Sequence, residues 1–348
     1  MIFEDGYRSL WIVRKVNEDT WADSDAVSGI DSISISRSCT DSYPLLETGT
    51  LTLTKGIRES FETGYYRIEM LASQNGYGDE LVSVATLLLE HSSGHVDKGY
   101  DAASITGYSV LKPLSDRMVQ VGTYAPKGSN GAEYAASLIR QHGKCPVVVN
   151  GSFTLNNHVV FHNGQSYLEC VWNVLDAAGW CMRIDGTGKV TISEKPAEPT
   201  LKITPTNGLR KLVPGIDYEC GLDDVPNAYI VVYGDKVIEV VNDDPSSPVS
   251  TVAKKRRIDY VDTSPTPING ESMHQYAKRR LKEMSKIVMQ YKYDREFEIG
   301  AVPFDLVQAS IPEYGMMGSL RILSQGLTLD KGITVSETVG LEMEGYAA

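Results

Sequence analysis

Five groups of residues in this chain have types and spacing that chemistry uses. His158 and His162 stand four apart, so a strand or a helix would put both imidazoles on one face. A zinc site needs further ligands with defined roles, and the six histidines offer no His-Glu-x-x-His or comparable pattern. The pair reads as the edge of a surface hairpin. Ser92, His95 and Asp97 bring a hydroxyl, an imidazole and a carboxylate close together in sequence. A hydrolytic triad is an arrangement in space, no Gly-x-Ser-x-Gly elbow occurs, and the segment reads as a hairpin loop. Gly186-Thr187-Gly188-Lys189 has the residue types of a phosphate loop without its spacing. A strand follows it, so no helix N-terminus is there to hold a phosphate, and it reads as a turn.

The carboxylate pairs Asp223–Asp224, Asp243–Asp244 and Glu342–Glu344 are the types a glycosidase uses. Adjacent strand residues face opposite ways, and no Asp-x-Asp-x-Asp-Gly pattern supports calcium. They read as solvated acids. The sharpest charge feature is the run Lys254, Lys255, Arg256 and Arg257. With Lys278, Arg279 and Lys282 on one side of a helix expected over 272–288, it predicts a surface where an acidic neighbour docks. No catalytic group, metal or cofactor is predicted.

The elements that must position these residues change character twice along the chain. The first part alternates apolar and polar residues, as in Ser32-Ile33-Ser34-Ile35 and Thr50-Leu51-Thr52-Leu53, and continues with the apolar run Leu81–Leu89, with Gly, Asn, Asp and Ser clusters between. Such spacing predicts short strands in a sandwich or barrel. From Asp116 the pattern is mixed. Asn130 and Glu133 sign the start of a helix over 131–142, and Phe153–Phe161 reads as a small hairpin. Ser166 and Glu169 form a capping box, and Leu168, Val171, Trp172 and Leu175 recur at helical spacing up to Gly179. Trp180–Ile184 and Lys189–Ile192 then pair around the glycine turn. Lys195-Pro196-Ala197-Glu198-Pro199 has the composition of a linker. Beyond it the chain is strand-rich again. Gly234-Asp235 makes a two-residue hairpin, the 272–288 helix follows, and strands close the chain, Thr328–Val339 among them. The fold class is α+β, mostly β. Two β domains are expected, at 1–115 and 200–348, with an α/β module inserted at 116–199.

Bulk properties bound the function. The 348 residues carry a net charge of -12, which argues against nucleic-acid binding and suits either solubility or a surface that nucleic acid slides past. Five widely spaced cysteines, with no Cys-x-x-Cys, read as reduced thiols of a protein made in a cytoplasm. The acidic start argues against a secretion signal, and no apolar run is long enough to predict membrane insertion.

Several segments, in one consistent order, resemble phage tail hub proteins. Ser34–Arg37 and Leu45–Leu53 resemble the strands that open the first tube-like domain, and Gly107–Leu114 its exit. Pro126-Lys127-Gly128 with the helix after it, then Ser166–Glu194, is similar to the inserted module. Pro226–Ile230 resembles the re-entry strands, and Asp305–Val307, Gly318–Ile322 and Thr334–Thr338 the closing domain. The resemblance spans nearly the whole chain and implies two tube-like β-barrels. It implies a subunit without catalysis of its own, forming a homotrimeric ring that adapts a hexameric tail tube or distal tail protein to a trimeric tip or spike. DNA would pass through the ring. It implies location in the virion tail or baseplate, after synthesis in the bacterial host cytoplasm. The competing reading is a tail-tip cell-wall hydrolase or carbohydrate-binding module, motivated by nineteen tyrosines and the two histidine-bearing clusters. A third is an α+β binding protein outside viruses.

Overall fold

Alternation governs the first strands. Across Ile30–Ser38, Ile33 and Ile35 are buried while Ser34 and Ser36 face solvent, the period of a half-buried strand. The structure is a computed structural model and describes residues 8–40, 42–53, 62–73, 80–97, 100–203, 215–296, 301–312, 315–330 and 333–343. Seven strands come first: β1 (Arg8–Val16), β2 (Asp23–Val27), β3 (Ile30–Ser38), β4 (Leu46–Leu53), β5 (Gly64–Ser73), β6 (Glu80–Asp97) and β7 (Tyr100–Ser109). Then come α1 (Lys112–Asp116), β8 (Tyr124–Ala125), α2 (Gly131–His142), β9 (Val147–Asn150), β10 (Val159–Val160), α3 (Tyr167–Ala177), β11 (Trp180–Ile184) and β12 (Val190–Glu194). The remainder holds β13 (Pro199–Ile203), β14 (Asp217–Gly221), β15 (Ala228–Tyr233), β16 (Lys236–Val241), α4 (Thr251–Lys254), β17 (Asp259–Asp262) and α5 (Met273–Met284). It ends with β18 (Ile287–Glu296), β19 (Leu306–Ile311), β20 (Met316–Leu329) and β21 (Ile333–Met343). The fold is mostly β, of the α+β class.

One 13-stranded sheet carries both ends of the chain, in the order β14-β18-β21-β20-β3-β4-β7-β6-β5-β1-β2, with β13 and β19 branching from β20. Among the described residues it is an open sheet, ending at β2 on one side and β14 on the other. Strand β20 joins two lobes. One of its edges pairs with β21; the other pairs with β19 over Met316–Arg321 and with β3 over Ser324–Leu329. Two cores follow from this. One gathers Ile33, Ile35, Leu51, Ile68, Leu87 and Ile105 with Leu327, Leu329 and Val335 from the tip of the β20–β21 hairpin. The other gathers Tyr291, Tyr293, Val307, Ile311, Leu320 and Ile322. The last hairpin is therefore core to both lobes.

The seam between them is polar. Tyr293, Glu337, Gln325, Arg37 and Glu47 stand directly opposite one another across β18, β21, β20, β3 and β4. Opposed residues share a face, and all five are buried.

Two small α/β units stand beside the sheet. In the first, α2 and α3 pack on the sheet β11-β12-β9, and their core takes in Leu46, Tyr65 and Leu88 of the first lobe. Ser166 caps α3 with the predicted reciprocal box: its Oγ accepts from Glu169 N, and Glu169 Oε2 accepts from Ser166 N. In the second, α5 packs on β16-β15-β17 through Tyr276, Ala277 and Leu281.

Four local expectations are corrected. The helix expected over 272–288 stops at Met284. Ser285 is buried with its hydroxyl donating to Pro226 O, and the β-branched Ile287 and Val288 open β18. Phe153–Phe161 forms no hairpin with itself: Val159 and Val160 pair with β8, while Thr154 and Leu155 bridge to Asn130 and Ile268. Phe153 is drawn under α2, where a Cβ on Gly131 would lie 2.2 Å from its ring. Ser92–Asp97 is strand, because pairing with β7 continues past a register shift at Leu89–His91. Thr328–Val339 spans the end of β20 and the start of β21, interrupted at Asp330.

Candidate functional site

The glycine turn between β11 and β12 is a docking device. Gly186 sits so close to β6 that a Cβ would lie 1.9 Å from Ser83 O, a contact only glycine permits. Thr86 Oγ1 donates to Gly186 O (2.9 Å), while Arg67 Nη2 (3.1 Å) and Trp21 Nε1 (2.8 Å) both donate to Thr187 O. Trp21 holds a left-handed φ of 56°, a conformation costly for a bulky residue. Its indole bond to the turn and its ring contact with Tyr65 hold it there. Nothing in the local sequence ties this turn to residues so far back in the chain.

A cleft of about 730 Å³ lies where Cys39, Ser42–Pro44, α3, β10, β17 and α5 meet. Tyr229 Oη (2.9 Å) and Tyr276 Oη (2.7 Å) both donate to Asp262 Oδ2, and Ser264 N donates to Asp262 Oδ1 (2.9 Å). Burial raises both phenols, so they stay protonated donors. Arg280 donates to Asp176 Oδ2 (2.7 Å), to Asp176 O (3.1 Å) and to Glu283 Oε2 (2.9 Å). It thereby places a cation at the C-terminus of α3 and ties the two α/β units together. Trp172 Nε1 donates to Pro44 O (3.0 Å), fixing α3 to the first lobe. These aromatic and ionic groups are partnered within the chain, so the cleft is built to hold shape.

The histidines do not converge. His158 Nδ1 accepts from Lys127 N (3.2 Å) and its ring stands edge-on to Tyr124, whereas His162 Nε2 meets Ser264 Oγ (3.1 Å). No cluster of three metal-ligating side chains occurs among the described residues. The side chains of Ser92, His95 and Asp97 lie outside the described residues, as does Glu344. Asp244 Oδ1 accepts from Ser246 N and Oγ, which lowers its carboxyl. The backbone of Asp223 accepts from Lys254 and Arg256. Glu342 accepts from Lys286 Nζ (2.6 Å) and Arg321 Nε (2.8 Å). Its burial opposes charge, but those two bonds outweigh it and bring the carboxyl down to about 2.

Among the seven basic residues, Lys254 reaches the carbonyls of Leu222, Asp223 and Val225, and Arg256 that of Asp223. Arg257 pairs with Glu239 and Asp259, and Arg279 with Glu271 and Glu283. Lys255, at a left-handed φ of 52°, and Lys278 are exposed, and Lys282 is half-buried. The run thus closes its own loops as much as it faces outward.

No protein-family model matches the chain, and no curated protein matches its sequence. Solved structures do match. A tail protein from Neisseria meningitidis MC58 aligns over 97% of both chains at 13% identity with a TM-score of 0.68. The 43 kDa tail protein of prophage MuSo2 from Shewanella oneidensis aligns over 94% of this chain and 97% of its own, at 13% identity and 0.63. Prophage tail protein gp18 from Listeria monocytogenes EGD-e aligns over 97% and 95%, at 11% identity and 0.54. The chain has the fold of phage tail proteins.

Within this tail-protein fold four of the five thiols are withdrawn from solvent, and Cys220 is exposed. Burial pushes Cys145 and Cys170 up to about 12, and Cys39 and Cys181 to about 11, so they stay protonated and unreactive at neutral pH. No helix among the described residues is long and apolar enough to cross a membrane.

Proposed function

We propose that the chain is a structural subunit of a phage tail or baseplate hub, acting without catalysis. The observation that carries this reading is the match of nearly the whole chain to tail proteins along their whole length. In this reading three copies close a ring that adapts a hexameric tail tube or distal tail protein to a trimeric tip or spike. Each lobe serves as one barrel-like segment of that ring, in the virion tail. The open sheet supports it. Among the described residues β2 and β14 end the sheet on opposite sides, and strand pairing between copies hides such edges. The net charge of -12 suits a passage that DNA crosses without sticking. Lys254, Lys255, Arg256, Arg257, Lys278, Arg279 and Lys282 form the surface offered to an acidic neighbour, with Lys255, Arg256, Arg257 and Lys278 exposed.

Particle imaging tests the proposal directly. Density for this chain on the tail axis with threefold symmetry is expected, and a position away from the axis refutes the hub role. Activity on host cell walls in a zymogram, lost on His158→Ala substitution, would establish the hydrolase reading in its place.

A further inference from the structure

The open edge of β11 stands against β4, and the two strands do not pair. β11 ends the order β11-β12-β9, and β4 is already flanked by β3 and β7. Asp185 N donates to Lys189 O (3.1 Å), so Asp185 and, by alternation, Arg183 turn their main-chain groups toward β12. Met182 and Ile184 therefore turn theirs outward, and both residues are buried. No partner for those outward N–H and C=O groups occurs among the described residues. Buried main-chain groups are nearly always bonded. From the side of β4 comes Glu47, only 4% exposed, whose Oε2 also has no partner among the described residues. Leu46, Glu47, Met182 and Ile184 line one cavity of about 10 Å³, with Arg37 beside them.

We propose that this cavity is a binding site for one water molecule, which joins the Glu47 carboxylate to the open edge of β11. The water donates one hydrogen to Glu47 Oε2. Its other hydrogen and its lone pairs meet the C=O and N–H groups of Met182 and Ile184, and a buried water typically makes about three such bonds. The volume is room for one water and little else. Charge narrows the choice further. An anion would meet the Glu47 carboxylate, and a cation would meet the Arg37 guanidinium, whose Nε donates to Glu47 Oε1 (2.8 Å). An apolar guest would leave the polar groups unbonded. The site gives the buried acid a task. β4 has no free edge to offer β11, so only a side chain from its face can serve that edge. A carboxylate does so through the water, and Arg37 balances its charge. The first α/β unit is thus seated on the first lobe through a hydrated joint as well as through the Gly186 turn. The inference stands apart from the hub reading, because it needs neither a ring nor a partner.

A high-resolution crystal structure of the full chain tests the site. One density peak is expected within hydrogen-bond distance of Glu47 Oε2 and of a main-chain nitrogen or oxygen of Met182 or Ile184. In Glu47→Gln the peak stays, because an amide also bonds water. In Glu47→Met, of similar size, it is lost. Thermal melts show whether each variant folds. Should Glu47→Met fail to fold, the wild-type chain decides in solution: NMR cross-relaxation with a long-lived water is expected at the amide proton of Met182 or Ile184. A cavity without the peak, a direct bond from Glu47 to β11, or a peak with the short contacts of a metal ion overturns the proposal. So does a peak that persists in folded Glu47→Met, or cross-relaxation missing at both amides.

Discussion

The two lobes each bury an arginine–glutamate pair, and the two pairs are held differently. In the lobe built on β18–β21, Glu337 accepts from Arg295 Nη2 (2.6 Å), Arg295 Nε (3.1 Å), Gln325 Nε2 (2.7 Å) and Tyr293 Oη (2.5 Å). Burial alone would raise its carboxyl, but Arg295, Gln325 and Tyr293 together hold it below the ordinary value. In the lobe built on β1–β7, Glu47 accepts from Arg37 Nε (2.8 Å), and its Oε2 has no partner among the described residues. Burial therefore wins, and its carboxyl is raised. A buried charge is tolerated in proportion to the donors around it. The second lobe is braced from inside by a network in which both oxygens of Glu337 are bonded, although Gln325 Oε1 has no partner among the described residues. The first is braced from outside, by the module's turn against Thr86, Arg67 and Trp21.

The largest effect expected from breaking this contrast is at Glu337. Glu337→Ala leaves Arg295 buried without its carboxylate, and a loss of about 3–5 kcal/mol in urea unfolding is expected. A loss below about 1 kcal/mol, the size of one ordinary hydrogen bond, would dissolve the distinction between the lobes. Next comes Gly186→Ala, where the new methyl group collides with the β6 backbone. About 2–3 kcal/mol is expected, with faster hydrogen exchange in β5 and β6 and unchanged exchange in β19. Equal loss of protection in both lobes would mean that the turn braces the whole sheet.

Glu47→Gln removes a poorly satisfied charge but keeps an oxygen that accepts from Arg37 Nε, so a loss of only about 1 kcal/mol is expected, the difference between a charge-assisted and a neutral bond. The pH dependence sharpens the same point. Glu337, lowered in the fold, contributes stability above the ordinary value of 4.5 that is lost as pH falls through its folded value. Glu47, raised in the fold, contributes stability below 4.5 that is lost as pH rises through its folded value. Melting temperatures across this range should therefore lose their neutral-side fall in Glu47→Gln and their acid-side fall in Glu337→Gln. Identical profiles in the two variants would contradict the difference in donors. The smallest effect is at the capping box: Ser166→Ala should cost about 1 kcal/mol without altering either lobe's titration.

Local sequence fixed what local physics governs. The Ser166–Glu169 box set the start of α3, Asn130 that of α2, and Ile33 and Ile35 the buried face of β3. Gly234-Asp235 placed the β15–β16 turn. Each follows from a few neighbouring residues and their own backbone groups. The same local reading ran α5 on to Val288, because helical spacing continues where the chain has turned to strand.

What the tertiary structure alone decided is pairing between distant segments. That Gln325 faces Arg37, that one strand serves two cores, and that Gly186 must lack a side chain are all such cases. A backbone hydrogen bond carries no label for its partner. Register is set by which faces can be buried together, and that is settled only when the whole sheet assembles.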